Sequence, residues 1–209
     1  MRGPSVSLGI VVMEPQGVFE KQYTGTPAGI NGQFLINMGN APFDFGGGFT
    51  WFSRGGTSND ISIYEGTDID GDDYYVEGTI DVNSNIYSYD AIARFRPFNG
   101  RVQPYGDAIA GFQTYSTKTT ISAIDGNTEE VVDRAHRDFA VSFGWAAGLK
   151  VKLSNDLAIE GRFSNIVGSE VKFVDRESIE INDNGNILFE QRNSTTNHLL
   201  YQVGVSLTF

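Results

Sequence analysis

The chain has no cysteine, which excludes a disulfide framework and any thiolate metal site. It has two histidines, His136 and His198. It has no apolar run near the roughly 18 residues that a membrane-crossing helix needs. The longest apolar stretch near the start, Ile10 to Met13, is too short for a signal-peptide core, and Met1-Arg2-Gly3-Pro4 lacks the charged-then-apolar layout of one. A secreted chain is therefore expected to be numbered without its signal. Basic charge is also scarce: the net charge is −11 over 209 residues. That excludes nucleic acid as a partner, because phosphate binding needs clustered Lys and Arg. Helical periodicity is nearly absent.

Alternation at period two is present instead. Leu199, Tyr201, Val203, Val205, Leu207 and Phe209 share one face, with Gln202, Gly204, Ser206 and Thr208 on the other. Phe139–Leu153 repeats the pattern, with Phe143, Trp145 and Leu149 opposite Gly144, Gly148 and Lys150, and the run from Leu157 to Ser164 follows it. Ser5–Met13, Ala28–Asn37, Phe43–Arg54, Asn85–Pro97 and Arg101–Thr117 complete eight segments. Each is about the 9–11 residues that a tilted strand needs to cross a bilayer. Low mean hydropathy does not exclude this, because such strands spend only alternate residues on lipid.

The connections alternate too. Met38–Pro42, Phe98–Gly100 and Ser154–Asp156 are short, whereas residues 14–27, 55–84, 118–138 and 167–197 form long loops. This is the asymmetry of an outer-membrane barrel, with short periplasmic turns and long extracellular loops. The expectation is an all-β chain: an eight-stranded antiparallel up-and-down transmembrane β-barrel, one domain over residues 1–209, with both termini periplasmic.

Two turns predict register. A type I′ turn at Asn99-Gly100 sets Arg94 against Tyr105 and makes Asp107 its diagonal neighbour. A three-residue loop at Ser154–Asp156 sets Lys150 against Glu160. Size then predicts which face is inside. A lumen of eight strands is just wide enough for side chains, so it suits the face carrying Gly46, Gly48, Ser142, Gly144, Gly148 and Ser206. The same face carries Asp90, Arg94, Asp107, Lys150, Glu160 and Arg162. Buried charges must pair, which predicts two lumen clusters, Arg94–Asp107–Asp90 and Lys150–Glu160–Arg162. They are read as a plug in preference to an ion path. Outward aromatics fall at two heights: Phe43, Phe45, Phe95 and Phe209 near the short turns, and Trp51, Tyr87, Tyr89, Phe112, Phe139 and Tyr201 toward the long loops.

The closing Tyr201-Gln-Val-Gly-Val-Ser-Leu-Thr-Phe209, with Pro104-Tyr105-Gly106 and Ala110-Gly111-Phe112, resembles the small outer-membrane barrels of the OmpA and OmpX type. The resemblance covers the whole chain as architecture. It implies the outer membrane of a Gram-negative bacterium. It also implies that Tyr201–Phe209 is the signal read by the barrel-assembly machinery, with Phe209 as its key residue. The peptidoglycan-binding domain of the larger members is not expected here.

Candidate chemistry is sparse. Gly55–Val82 holds eight acidic residues and no Lys or Arg. Asp68, Asp70 and Asp72 are spaced like a calcium loop but lack its twelve-residue pattern and late Glu, so a solvated acidic turn is favoured over calcium, the one cofactor considered. Tyr64, Tyr74 and Tyr75 are candidate binding contacts or packing within the loop. Asn182–Asn186, between Ile181 and Ile187, reads as a hairpin tip. A lipid-modifying enzyme would need His136 or His198 beside Ser116, Ser169 or Ser178, and no nucleophile motif accompanies them.

The expected function is that of a non-enzymatic outer-membrane protein: structural, surface-binding, or a small subunit of a larger envelope complex. Its surroundings would be lipid, lipopolysaccharide and other envelope proteins. The alternatives are a lipid-modifying enzyme, a narrow pore, or a soluble carrier of the lipocalin kind.

Overall fold

The computed structural model describes residues 3–22, 26–39, 41–67, 73–123, 130–131, 136–174, 180–181, 187–188 and 191–209. Among them, eight long strands form the wall: β1 (Ser5–Pro15), β2 (Ala28–Asn37), β3 (Phe43–Thr67), β4 (Asp73–Phe95), β5 (Val102–Ala123), β6 (His136–Lys152), β7 (Leu157–Gly168) and β8 (His198–Thr208). Each pairs antiparallel with the next, and β1 pairs with β8 from Ser5↔Thr208 to Pro15↔His198, so the sheet closes. The ends of β1 and β8 therefore lie at the same end of the barrel as the three short turns.

The period-two pattern decides what faces where. Leu8, Ile10, Ile30, Phe34, Phe143, Trp145, Val203 and Val205 are exposed on the outer wall, whereas Ser7, Gln33, Arg94, Asp107, Lys150, Glu160 and Ser206 are buried in the lumen. Ile10 is 68% exposed while Arg94 is 1% exposed. This inverts the arrangement of a water-soluble protein. It also removes the basis for a lipocalin-like carrier, which needs an apolar lumen and a polar exterior.

The β6–β7 register is the one that the charge match predicts, with Lys150 opposite Glu160 across a loop closed by the bond from Leu153 N to Leu157 O at 2.9 Å. The β4–β5 register is not. Arg94 stands directly opposite Asp107, and the ladder stops at Phe95↔Gly106. Pro97 and Pro104 explain the difference: each lacks the N–H that a ladder extended to the turn would use. Gly100 is not a left-handed glycine, whereas Gly17 and Gly39 are, so Asn99-Gly100 does not form a type I′ turn. The slip is two residues, which leaves every side chain on its expected face.

The long connections carry more strand than their turn-rich composition suggests. Residues 55–84, expected as a loop, continue β3 and β4 as a hairpin paired as far as Thr67↔Asp73. Its β-branched positions, among them Thr57, Ile61, Ile63, Val76 and Ile80, suit a strand. Glu170–Val174 pairs with Gln191–Thr195, and Ile181 pairs with Ile187. The first connection contains a single helical turn, Val18–Gln22.

Candidate functional site

The lumen concentrates the chain's chemistry, and it has two zones. The zone nearer the short turns is charged. Arg94 on β4 donates from Nε to Asp107 Oδ1 at 2.7 Å, from Nη2 to Asp107 Oδ2 at 3.0 Å and to Gln33 Oε1 at 3.1 Å, and from Nη1 to Glu160 Oε1 at 3.0 Å. Its guanidinium lies 3.6 Å from the centre of the Tyr105 ring, a cation–π contact, and the Tyr105 hydroxyl donates to Glu160. Lys150 Nζ donates to Ser206 Oγ at 2.8 Å and lies 3.9 Å from Glu160 Oε2. Arg162 Nε lies 3.0 Å from Asp107 Oδ2.

The two clusters expected from sequence are therefore one. Arg94 crosses to Glu160 and Arg162 crosses to Asp107, so each cluster's cation reaches the other's carboxylate. Asp90 sits at the edge of this network, accepting a hydrogen bond from Ser88 Oγ at 3.1 Å. Polar groups invisible to a search for charges complete the connection. Gln33 and Gln202 both donate to Asn31 Oδ1, at 3.0 and 2.9 Å, and Asn31 donates to Thr50 Oγ1 at 2.6 Å. Ser7 Oγ donates to Glu160 Oε2 at 3.3 Å. Every wall strand from β1 to β8 thus contributes a side chain. The alternation Ile30-Asn31-Gly32-Gln33-Phe34 was the available signal for the β2 members.

A second ion pair closes the short-turn mouth. Arg96 Nη2 lies 2.9 Å from Asp44 Oδ2, and Asn37 Nδ2 donates to Asp44 Oδ1 at 2.6 Å. Neither Arg96 nor Asp44 was singled out from sequence, because no turn geometry placed them opposite one another. The cleft beside this pair measures about 30 Å³, room for a few waters.

The zone nearer the long connections is apolar, and none of its residues was among the small and charged lumen residues named from sequence. Val11, Met13, Phe52, Ile86, Tyr115, Ala140 and Val171 form a buried cluster, and Phe19 of the helical turn is fully buried among them. The Phe19 ring meets Tyr115 edge-on, with centroids 6.1 Å apart. The apolar inward positions on β1, β3 and β4 were legible, but the plug that unites them comes from a loop.

His198 lies below this cap. Its Nδ1 donates to Thr196 O at 2.7 Å, which leaves Nε2 to accept from Gln113 Nε2 at 3.3 Å, and Gln113 Oε1 accepts from the Tyr115 hydroxyl at 2.7 Å. Both ring nitrogens are engaged, so neither is available to a substrate. Ser169 Oγ accepts from Val141 N at 3.0 Å and makes no hydrogen bond to His198 among the described contacts. His136 pairs through its backbone with Thr117, and Ser178 lies outside the described residues.

The remaining candidates are placed as follows. Asp68, Asp70 and Asp72 lie outside the described residues. Tyr64 is opposite Tyr75, and Tyr74 is opposite Gly66, in the β3–β4 hairpin. The Tyr201 hydroxyl donates to Glu14 Oε2 at 3.0 Å, and its ring packs on Phe163 at 5.4 Å. Phe209 is exposed, and its N–H donates to Pro4 O at 3.0 Å.

On the outer wall the aromatics form bands. Phe49, Tyr89, Phe112 and Phe139 stand in a row with neighbouring centroids 5.2, 5.0 and 5.3 Å apart, and Phe43 pairs with Phe95 at 5.3 Å nearer the short turns. A closed antiparallel sheet with an apolar outer wall, aromatic bands and an ion-paired lumen is what a bilayer demands of a strand-built span. The chain has the fold of a small outer-membrane β-barrel. Solved structures agree. A major outer membrane protein from Thermus thermophilus superposes with a TM-score of 0.55 at 11% identity, covering 98% of this chain and 99% of that one. The outer membrane protein OprG from Pseudomonas aeruginosa gives 0.52 at 10% identity, over 99% and 95%. No protein-family profile matches the chain, and no curated protein sequence matches it.

Proposed function

We propose that this outer-membrane barrel is non-enzymatic and serves as a rigid carrier for the elements built on its long connections. The observation that carries this reading is the lumen. Ion pairs and amides fill one half, and the Phe19 cap fills the other. A wall so filled is a scaffold, and function on a scaffold concentrates in its connections. The engagement of both His198 nitrogens supports the non-enzymatic reading.

The chain ends belong to the periplasmic side in this reading, and the β3–β4 hairpin to the cell exterior. The asymmetry between short turns and long connections supports that orientation. Lipid and lipopolysaccharide are the expected surroundings, and other envelope proteins the expected partners. The strand from Tyr201 to Phe209 is the expected contact with the barrel-assembly machinery, so Phe209→Ala should lower the amount of assembled barrel without destabilising barrel refolded in detergent. The reading requires no cofactor. Calcium, tested by titration onto the EDTA-treated protein, should leave the unfolding midpoint unchanged if Asp68, Asp70 and Asp72 form a solvated turn.

The decisive test is gel mobility of the detergent-extracted protein with and without boiling, together with protease mapping on intact cells. A heat-dependent shift, with cleavage confined to the long connections, is expected. A protein that is folded and monodisperse in plain buffer would overturn the proposal.

A further inference from the structure

The β3–β4–β5 part of the wall does not stop at the upper aromatic band. β3 leaves β2 at Ser53↔Ala28 and continues to Thr67 paired with β4 alone. β4 in turn pairs with β5 from Asn83↔Lys118 up to Gly78↔Ala123. The result is a three-stranded fin standing off the barrel. Its two edges differ. On the β5 side, Ile121 and Ser122 pair with Val131 and Glu130, and Thr117 pairs with His136. On the β3 side no strand among the described residues lies against Gly56–Thr67.

That edge has the properties of a template. It runs without a break in register from Gly56 to Tyr64, between irregularities at Ser53/Gly56 and Tyr64/Gly66, a length of roughly 30 Å at the usual rise per residue. Natural sheets blunt such edges with Lys, Pro or a bulge. Here the bulges flank the run without interrupting it, and the run contains neither Lys nor Pro. Alternate N–H and C=O groups along it therefore face away from β4 with no described partner.

Charge selects the occupant. The paired strands of this hairpin, residues 55–67 and 73–82, carry Asp60, Glu65, Asp73, Glu77 and Asp81 and no Lys or Arg, so they are acidic throughout. A second copy docking edge to edge would bring two such hairpins together and be repelled, whereas a cationic segment would be attracted. We propose that the free edge of β3, Gly56–Tyr64, binds an extended, lysine- or arginine-rich segment of another protein as an added strand. Main-chain hydrogen bonds supply the affinity and the acidic hairpin supplies the selectivity. This rests on the scaffold reading above and names the class of partner it serves.

The test uses the full chain in lipid nanodiscs and a synthetic peptide, as long as Gly56–Tyr64, that alternates lysine with valine and threonine. Its controls are the same peptide with glutamate for lysine and the same peptide N-methylated at alternate residues. The basic peptide should bind and slow amide exchange along Gly56–Tyr64. The glutamate peptide should not bind, and N-methylation should weaken binding about tenfold or more by removing main-chain bonds. Ser58→Pro and Asn59→Pro sharpen the result, because successive N–H groups point to opposite edges. The variant whose N–H faces the free edge should keep the hairpin and lose the peptide. Equal binding of the methylated peptide would reduce the effect to charge attraction, and slow exchange at every Gly56–Tyr64 amide before peptide is added would mean that the edge is already covered. Either result overturns the proposal. Heat-dependent gel mobility of the same sample tells failure of the edge from failure of the barrel.

Discussion

Arg94 and Glu160 meet across the lumen at 3.0 Å although 66 residues separate them in the chain. Arg94 also holds Asp107 with two hydrogen bonds, so a single guanidinium joins β4, β5 and β7. Arg94→Met would leave the buried carboxylates of Asp107 and Glu160 with only Arg162 at 3.0 Å and Lys150 at 3.9 Å as counter-charges. Breaking a buried pair from one side costs roughly 3–5 kcal/mol, and the urea midpoint of the barrel in lipid should fall accordingly. Arg94→Lys, which keeps the charge but not the two-pronged bond to Asp107, should lose less. An equal loss would mean that the guanidinium geometry, not the charge, carries the effect.

Gly148 makes room for Tyr105. A Cβ at this position would sit 2.2 Å from the Tyr105 ring carbon Cζ and hydroxyl. Gly148→Ala should destabilise the barrel by about 1–3 kcal/mol, the usual cost of overpacking. In a Tyr105→Ser background the same change should cost much less, since the two positions share one space. Additive costs in the double variant, measured by unfolding in urea, would disprove the contact.

The two lumen zones act as closures in series. Phe19→Ala removes the ring that fills the outer zone, and an emptied core position of this size costs about 3–5 kcal/mol. Planar bilayers holding this variant should still carry no current, because the Arg94 network lies below the cavity. Conductance steps from Phe19→Ala alone would show that the charged zone is passable.

The outer wall is tested by charge. Val203 is 59% exposed and lies mid-strand between Ile10 and Gly161. On a water-soluble protein Val203→Lys would be nearly neutral. On a lipid-facing wall a lysine near the midplane costs about 2–4 kcal/mol. Refolding in lipid vesicles should show that loss, and Phe209→Lys, close to the turn-side interface, should show much less.

The wall was readable from the chain because its signal is local. Alternation along Phe139–Leu153 and Leu199–Phe209 gave both strand and face, and charge complementarity set Lys150 against Glu160. The β4–β5 register was missed by two residues because Pro97 and Pro104 act on the ladder, whereas Asn99-Gly100 supplied only a turn composition. The joining of Arg94 to Glu160 was not legible, since it depends on wall curvature bringing β4 and β7 face to face. Phe19 gave no signal either. One aromatic in a short loop becomes a core residue only when a closed wall offers it a mouth to fill.

All sheet contacts in the wall except one join strands that follow one another along the chain. The exception is β1 with β8. Seven of the joints can thus form by neighbours zipping together, and only the eighth requires distant segments to find each other, the slow kind of step in chain folding. Because Ser5 and Thr208 end up side by side, the ring has no preferred starting point. A permuted gene that fuses these ends and opens the chain between β5 and β6 would encode the same wall with its late-closing joint moved three of eight places round.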